Sequence, residues 1–339
     1  MARTISYMQA INEALAQEME RDETVVVFGE DNVGGAGSPG EMDAWGGVMG
    51  VTKGLYAKYP ERILDTPISE SAFIGAAAGA ACSGLRPVAE LMFVDFFGVC
   101  MDQIYNQAAK FRYMFGGKAK TPMVIRTMFG AGIRAASQHS QSLYPIFTHI
   151  PGLKVVIPSN PYDAKGLLIA SIRDDDPVMF FENKVLYAVE GEVPEEPYTI
   201  PLGEAEYVRE GEDVTIVAIG RMVSMAEQAA ASLADEGIEC EIVDPRTTSP
   251  LDEETIFESV ENTGRLVVVD ESNPRCSMAT DIAARVAENC FDDLKAAPKM
   301  VTAPHTPPPF SPSLEDLYVP DPDRIAEAAR EVAGAGARA

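Results

Sequence analysis

Short apolar segments alternate with longer segments of mixed polarity along the first half of the chain. The apolar segments have the length and the β-branched content of buried strands, as in Val25–Glu30, Pro87–Phe93 and Val178–Phe181. The segments Ile5–Arg21 and Asp163–Arg173 instead carry apolar residues at helical spacing. This alternation predicts an α/β fold with a parallel sheet that is covered by helices on both faces.

A stretch rich in Pro and Glu, Glu190–Pro201, interrupts this pattern and is typical of a linker. Beyond it the alternation resumes in a shorter series of strands and helices. The sequence therefore predicts a first domain over 1–189, a linker over 190–203 and a smaller α/β domain over 204–339. Because ligands of open parallel sheets lie beyond the carboxyl ends of the strands, we expect the functional site there.

One predicted helix, which begins beside Glu70 and runs on through Ile74–Ala81, consists almost wholly of small apolar residues. Ser69 is placed to cap this helix, and Glu70 lies in its first turn. The Gly and Ala residues leave room for another backbone or a flat cofactor to approach closely. A Glu that apolar walls shield there can hold or pass a proton near neutrality. A capped core helix with a solvated Glu explains the same residues.

Two further positions near predicted strand ends are candidates for binding. Glu30 ends a buried strand, where it could contact a second carboxylate or a cofactor, or simply face solvent. Phe93 and Phe96 flank the start of a predicted long helix over 96–115. An aromatic ring there could stack on a heteroaromatic ligand or pack in the core. A Gly-rich segment over 34–47 lacks the strand-turn-helix layout of a dinucleotide site and is interpreted as a loop.

His139 lies in a polar loop after a strand, which is a suitable place for a general acid or base. A structural hydrogen bond is the alternative. Arg126 and Arg134 lie before His139 and are suited either to an anion or to ion pairs. The chain has only 3 His residues, and none has metal-ligand spacing, so a zinc site is not expected.

Charge and cysteine content narrow the class of protein. There are 52 acidic against 27 basic residues, a formal net charge of −25, which argues against nucleic acid and against anionic membranes. The 5 cysteines form no CxxC pair, and their odd number indicates free thiols in a reducing cytoplasm. The longest run of small apolar residues is too short to span a bilayer, and we expect a cytoplasmic protein.

Several motifs in order resemble the β subunits of thiamine-diphosphate-dependent 2-oxo acid dehydrogenases, which belong to the transketolase-like group. These motifs are Asp65–Glu70, Gly84–Pro87, Asp102–Lys110, Gln138–Gln141, Pro151–Val156, Asp163–Leu167 and Asp244–Thr247. Three more segments are most similar to acetoin dehydrogenase β subunits, and less so to pyruvate and branched-chain members. They are Asp43–Val48, Lys110–Gly117 and Pro304–Pro312.

The resemblance implies roles for named residues. Thiamine diphosphate would bind between two chains, with Glu70 sharing a proton with its aminopyrimidine ring. Phe96 would pack on that ring, and Met92 would touch it. Glu30 would belong to a proton network between active sites, and His139 would assist proton transfer when the acyl group passes to a lipoyl group.

The family also implies partners and ions. Asp174 lies in a turn where relatives often hold a monovalent cation such as K⁺. Thiamine enzymes bind the diphosphate through Mg²⁺ held by a GDG sequence, which this chain lacks. The resemblance therefore implies an α subunit that supplies the Mg²⁺ ligands, in a tetramer of two α and two β chains. The second domain would dock a lipoyl acyltransferase core.

Other functions explain part of the same sequence. One is a self-sufficient transketolase-like enzyme, against which the missing Mg²⁺ motif argues. Another is a non-catalytic scaffold subunit, against which Glu70 and His139 argue. A plain nucleotide-binding protein has little support because no phosphate-binding loop is present.

Overall fold

A computed structural model describes residues 2–34 and 46–334. Residues 35–45 lie outside this description. They include most of the Gly-rich segment and residues 43–45 of the acetoin-like motif 43–48. The chain forms two compact units. The first comprises Met1–Phe129 and Ile146–Leu202, and the second comprises Gly130–Pro145 and Gly203–Ala339. The segment that carries His139 thus belongs to the second unit, which the sequence analysis did not anticipate.

The first part of the chain alternates strands and helices. The strands are β1 (Ala2–Ser6), β2 (Val25–Gly29), β3 (Ile63–Asp65), β4 (Arg86–Phe93), β5 (Val124–Phe129), β6 (Lys154–Val156), β7 (Val178–Asn183) and β8 (Glu190–Pro194). The helices are α1 (Tyr7–Arg21), α2 (Leu55–Lys58), α3 (Glu70–Cys82), α4 (Phe111–Met114), α5 (Tyr144–Thr148) and α6 (Pro161–Arg173). Six strands of the first unit run parallel in the order β6-β7-β5-β4-β2-β3. The predicted parallel sheet is confirmed.

The core of the first unit is built from apolar strand residues and from the facing sides of α1 and α6. Tyr7, Ile11 and Leu15 of α1 pack in one cluster with Leu167 and Leu168 of α6. Ser6 caps α1, because its hydroxyl oxygen accepts a hydrogen bond from the Gln9 main-chain N–H, and the Gln9 side-chain Oε1 accepts one from the Ser6 main-chain N–H. This reciprocal cap fixes where the chain leaves β1 and enters the helix.

The predicted long helix over 96–115 is wrong, because three short pieces take its place. They are a 3-10 turn at Val94–Val99, a π-helical turn at Gln103–Ala108 and α4. Val94, Cys100 and Ile104 are all fully buried. Six residues of regular α-helix would place Val94 and Cys100 roughly 120° apart around the axis. The breaks allow both side chains to enter the core.

The predicted linker over 190–203 contains a strand at its start. Residues of β8 pair antiparallel with β1, in register from Ala2↔Pro194 to Ser6↔Glu190. Val193 is fully buried by this pairing. The Pro and Glu content concealed the strand, because an edge pair tolerates both residue types.

The second unit is a smaller α/β structure. Its strands are β9 (Glu206–Arg209), β10 (Val214–Ala218), β11 (Cys240–Asp244), β12 (Thr247–Ser249), β13 (Leu266–Asp270) and β14 (Lys299–Thr302). Its helices are α7 (Met222–Ala234), α8 (Glu253–Thr263), α9 (Met278–Asn289), α10 (Pro312–Tyr318) and α11 (Pro322–Gly334). The sheet order is β14-β13-β10-β11-β9, with β9 antiparallel to its neighbour. Within 2–34 and 46–334, no helix combines the length and the hydrophobicity that a bilayer crossing needs.

Candidate functional site

Three neighbouring parallel strands of the first unit end at one edge of the sheet. Glu30 follows β2, Asp65 ends β3 and Phe93 ends β4. The Asp65 carboxylate accepts hydrogen bonds from the main-chain N–H groups of Val33 (2.5 Å) and Gly34 (3.0 Å). Asp65 therefore holds the chain where it leaves β2, and Glu30 is fixed near this edge.

Helix α3 begins at Glu70, which is half-buried at the helix N-terminus. The predicted cap by Ser69 is wrong, since the Ser69 hydroxyl donates to the Pro67 carbonyl (3.3 Å) and makes no cap bond. The backbone of Ser69 (φ −160°, ψ 70°) turns its hydroxyl away from the first-turn amides. Glu70 is the acidic residue in the first turn of α3, where the helix dipole favours negative charge.

Carboxyl groups gather around Glu30. Burial raises the pKa of Glu30, and the charges of Asp31, Glu70 and Glu90 raise it further. Burial also raises the pKa of Glu90, although the Arg126 charge opposes the shift. Because burial and these like charges disfavour ionisation of Glu30, its carboxyl group keeps a proton to a higher pH than an isolated Glu side chain does.

Arg126 is a buried cation that pairs with Glu90, one of the carboxyl groups near Glu30. Its Nε and Nη2 donate to the two carboxylate oxygens of Glu182 (2.6 and 2.7 Å), and its Nη1 donates to Glu90 (2.8 Å). The Tyr187 hydroxyl donates to Glu182 at 2.6 Å. The ion-pair interpretation of Arg126 is confirmed. Glu90, Glu182 and Tyr187 were missed in the sequence, although an ionisable residue inside an apolar strand was a signal for Glu90 and Glu182.

Aromatic surface lies at the end of β4. The rings of Phe93 and Phe96 meet edge to face, with centroids 5.6 Å apart, and both residues are half-buried. The Lys184 ammonium lies 5.3 Å from the Phe93 ring centroid. Met92 is half-buried and packs against the core of the first unit. A planar ring entering at this edge would meet both apolar surface and carboxylates.

Cys100 is a neighbour of Glu70 that no sequence motif marks. It is fully buried, and burial together with the Glu70 charge raises the pKa of its thiol to about 12. A thiol with so high a pKa is unreactive at neutral pH. Its role in this chain is packing.

The loop that carries His139 belongs to the second unit. His139 is half-buried, and its main-chain N–H donates to the Ala136 carbonyl (3.2 Å). Arg134 pairs with Glu315 and with Asp316, the latter at 2.6 Å. The ion-pair interpretation of Arg134 is therefore confirmed as well.

Asp174 ends α6 in a turn rich in charge. Its carboxylate accepts from the Lys154 ammonium (2.5 Å) and from the Asp176 amide (2.8 Å), and its carbonyl accepts from Arg86 (2.8 Å). Across the described part of the chain, no group of three or more His, Cys, Asp and Glu residues is arranged to hold a metal ion. A cation at the Asp174 turn stays a prediction.

Family models match both parts of the chain. Residues 3–190 match the transketolase pyrimidine binding domain, and residues 203–325 match the transketolase C-terminal domain. Among solved structures, a split-gene transketolase described as an inactive β4 tetramer is similar, with a TM-score of 0.79, 22% identity and coverage of 98% of this chain and 99% of that chain. At this identity the similarity establishes the fold alone.

Curated relatives cover nearly the whole chain. The β subunit of acetoin:2,6-dichlorophenolindophenol oxidoreductase from Cupriavidus necator is 68% identical, with coverage of 99% of both chains. The β subunit of the same name from Bacillus subtilis is 60% identical, with coverage of 98% of both chains. The 2-oxoisovalerate dehydrogenase β subunit of Bacillus subtilis is 44% identical, with coverage of 97% of this chain and 98% of the relative.

Proposed function

Because this chain belongs to the transketolase-like family of acetoin and 2-oxo acid dehydrogenase β subunits, we propose that it is the β subunit of an acetoin-cleaving, thiamine-diphosphate-dependent enzyme. With its α subunit it cleaves the C–C bond next to a carbonyl and passes the acyl group to lipoamide. The placement of Glu70 at the start of α3, within the electrostatic reach of Glu30, is the observation that carries this proposal.

The residues at the strand edge fit a thiamine pyrimidine ring. Glu70 offers a carboxylate to a ring nitrogen, and Glu30 can hold the proton that Glu70 exchanges. Phe96 and Met92 offer apolar surface for the ring face. When bound, the cofactor supplies the carbon nucleophile and stabilises the carbanion that C–C cleavage leaves. Glu70 holds a proton at the pyrimidine nitrogen, and the apolar side chains exclude water.

A partner chain completes the site in this proposal. The sequence lacks a GDG motif, so the α subunit supplies the Mg²⁺ ligands for the diphosphate. Large apolar side chains stand open on the first unit, with Tyr113 exposed by 89%, Met114 by 65% and Phe115 by 53%. Such surface supports burial by another subunit. The α₂β₂ tetramer, docking to a lipoyl acyltransferase core, a K⁺ ion at the Asp174 turn and a cytoplasmic location belong to the same proposal.

Acetoin is the proposed substrate because the two relatives at 68% and 60% identity carry acetoin in their names, whereas a 2-oxoisovalerate relative is 44% identical. Steady-state rates of the αβ enzyme on acetoin, pyruvate and branched 2-oxo acids test this choice. A kcat/KM higher for pyruvate than for acetoin would overturn it in favour of a pyruvate dehydrogenase.

Substitution of Glu70 tests the catalytic role. In the reconstituted αβ enzyme, Glu70→Gln should lower acetoin-dependent dye reduction by about 10²-fold or more, because a proton relay to the cofactor is lost. Glu61→Gln, which alters an exposed carboxylate of the same unit, is the control and should keep full activity. Unchanged activity of Glu70→Gln would favour the scaffold function.

A further inference from the structure

The loop over 130–141, which carries His139, has a backbone that depends on support from outside the loop. Two of its non-glycine residues, Arg134 and Ala136, have φ of +62° and +64°. A residue with a side chain adopts this left-handed conformation only where surrounding groups hold it. The contacts that hold the loop therefore decide where His139 is presented.

Glu315 of α10 supplies the support at the start of the loop. Its carboxylate accepts hydrogen bonds from the main-chain N–H groups of Gly132 (2.9 Å) and Arg134 (3.2 Å), and also from the Arg134 guanidinium. The Glu315 side chain is fully buried. A buried carboxylate is retained where charge-assisted hydrogen bonds compensate its lost hydration, and here those bonds all go to this loop.

The far end of the loop has a second tether. The Ser137 hydroxyl, two residues before His139, donates to the Pro308 carbonyl at 2.6 Å. Asn273 holds the same Pro-rich segment, because its side-chain amide donates to the carbonyls of Pro304 (2.7 Å) and Thr306 (3.3 Å). The loop is thus fixed on both sides of Ala136.

We propose that Glu315 is a positioning residue for His139. Its two main-chain hydrogen bonds and its ion pair hold Arg134 in the left-handed conformation, and Ser137 completes the support. This inference rests on the proposed function, in which His139 serves acyl transfer to lipoamide. In this role Glu315 acts through the loop, because its carboxylate accepts hydrogen bonds from Gly132 and Arg134.

Two assays of the αβ enzyme separate this role from general damage. Acetoin-dependent reduction of 2,6-dichlorophenolindophenol requires no lipoyl group, whereas acylation of a free lipoyl domain does. Glu315→Ala should lower kcat of lipoyl acylation by about 10- to 100-fold, because a misplaced proton-transfer group loses rate steeply with distance. The dye rate should stay within about twofold, and Glu315→Gln, which keeps an acceptor oxygen, should restore part of the loss.

A matched control changes the other acidic partner of Arg134, which is Asp316. Asp316→Asn removes the other ion pair of Arg134 but no main-chain bond of the loop, and Asp316 is largely exposed. Its lipoyl rate should match the wild type. Ser137→Ala is a second variant with little risk to folding, and it should lower the lipoyl rate but not the dye rate.

Failure of the positioning role of Glu315 and failure of the proposed role of His139 give different results. If His139→Ala leaves lipoyl acylation unchanged, the proposed role of His139 fails. If His139→Ala abolishes acylation while Glu315→Ala and Ser137→Ala do not affect it, only the positioning role fails. A parallel fall of both rates in Glu315→Ala and Ser137→Ala would also overturn the positioning role, because it would indicate loss of structure.

Discussion

Four carboxyl groups close to one another give Glu30 a pH-dependent effect on stability. Burial and the charges of Asp31, Glu70 and Glu90 raise the pKa of Glu30 in the folded chain. The folded state therefore binds this proton more tightly than the unfolded chain does. The stabilisation is present in acid and is lost as the pH rises through the folded-state pKa.

Glu30→Gln removes that dependence. The variant should have a higher thermal midpoint than the wild type at pH 8. The difference should be smallest near pH 4, where the protonated Glu30 of the wild type is neutral like the Gln of the variant. Calorimetric melts of the purified chain across this range measure the effect. An equal shift at every pH would contradict the argument.

Residue types near strand ends were more predictable than their contacts. Glu30 and Phe96 were found because the ends of parallel strands collect functional groups. The hydrogen bond of the Ser69 hydroxyl was not predicted correctly, because capping depends on backbone angles that the residue type does not fix. The contact between Glu315 and the His139 loop was not predictable either. Gly132 and Glu315 are 183 positions apart in the chain, and no local sequence pattern encodes such a pair.

At the scale of elements, Arg126 links β4, β5 and β7 through one buried charge cluster. Arg126→Met should destabilise the fold by about 3–5 kcal/mol, because two carboxylates in the sheet lose their cation. Lys58→Met, which breaks an exposed pair with Glu20 in the same unit, should have little effect. Urea unfolding of both variants makes the comparison, and equal midpoints would refute the importance of burial.

Two glycines with nearly the same backbone conformation differ in their surroundings. Gly152 has φ +98°, and an added Cβ would lie 2.0 Å from the Ala109 carbonyl oxygen. Gly84 has φ +101° and open space around it. Gly84→Ala should cost about 1–2 kcal/mol from conformation alone. Gly152→Ala should cost at least about 1 kcal/mol more from the clash, as urea unfolding can measure.

Most elements were predictable from apolar periodicity, and the exceptions have physical causes. The strands of the parallel sheet are mostly apolar, and such runs between helical segments have few alternative interpretations. The region 94–114 was misassigned because its buried residues follow neither a helical nor a strand period. Strand β8 was missed because its partner β1 lies almost a whole unit earlier in the chain.

For the whole molecule, the central expectation is that this chain alone holds only part of the cofactor site. Titration calorimetry of the purified β chain with thiamine diphosphate and Mg²⁺ should give weak or undetectable binding. Adding the α subunit should give tight, Mg²⁺-dependent binding. Tight binding to the lone chain would contradict the division of the site between two chains.

The fixed loop also has a consequence during protein synthesis. Gly132 is made early, but its hydrogen-bond partner Glu315 follows 183 residues later. At a ribosomal rate of about 5–20 residues per second, the interval is roughly 9–37 s. Throughout that time the nascent polypeptide lacks Glu315, so the loop has no carboxylate to accept its main-chain hydrogen bonds. Chaperone binding to translating ribosomes should therefore persist until α10 has left the exit tunnel.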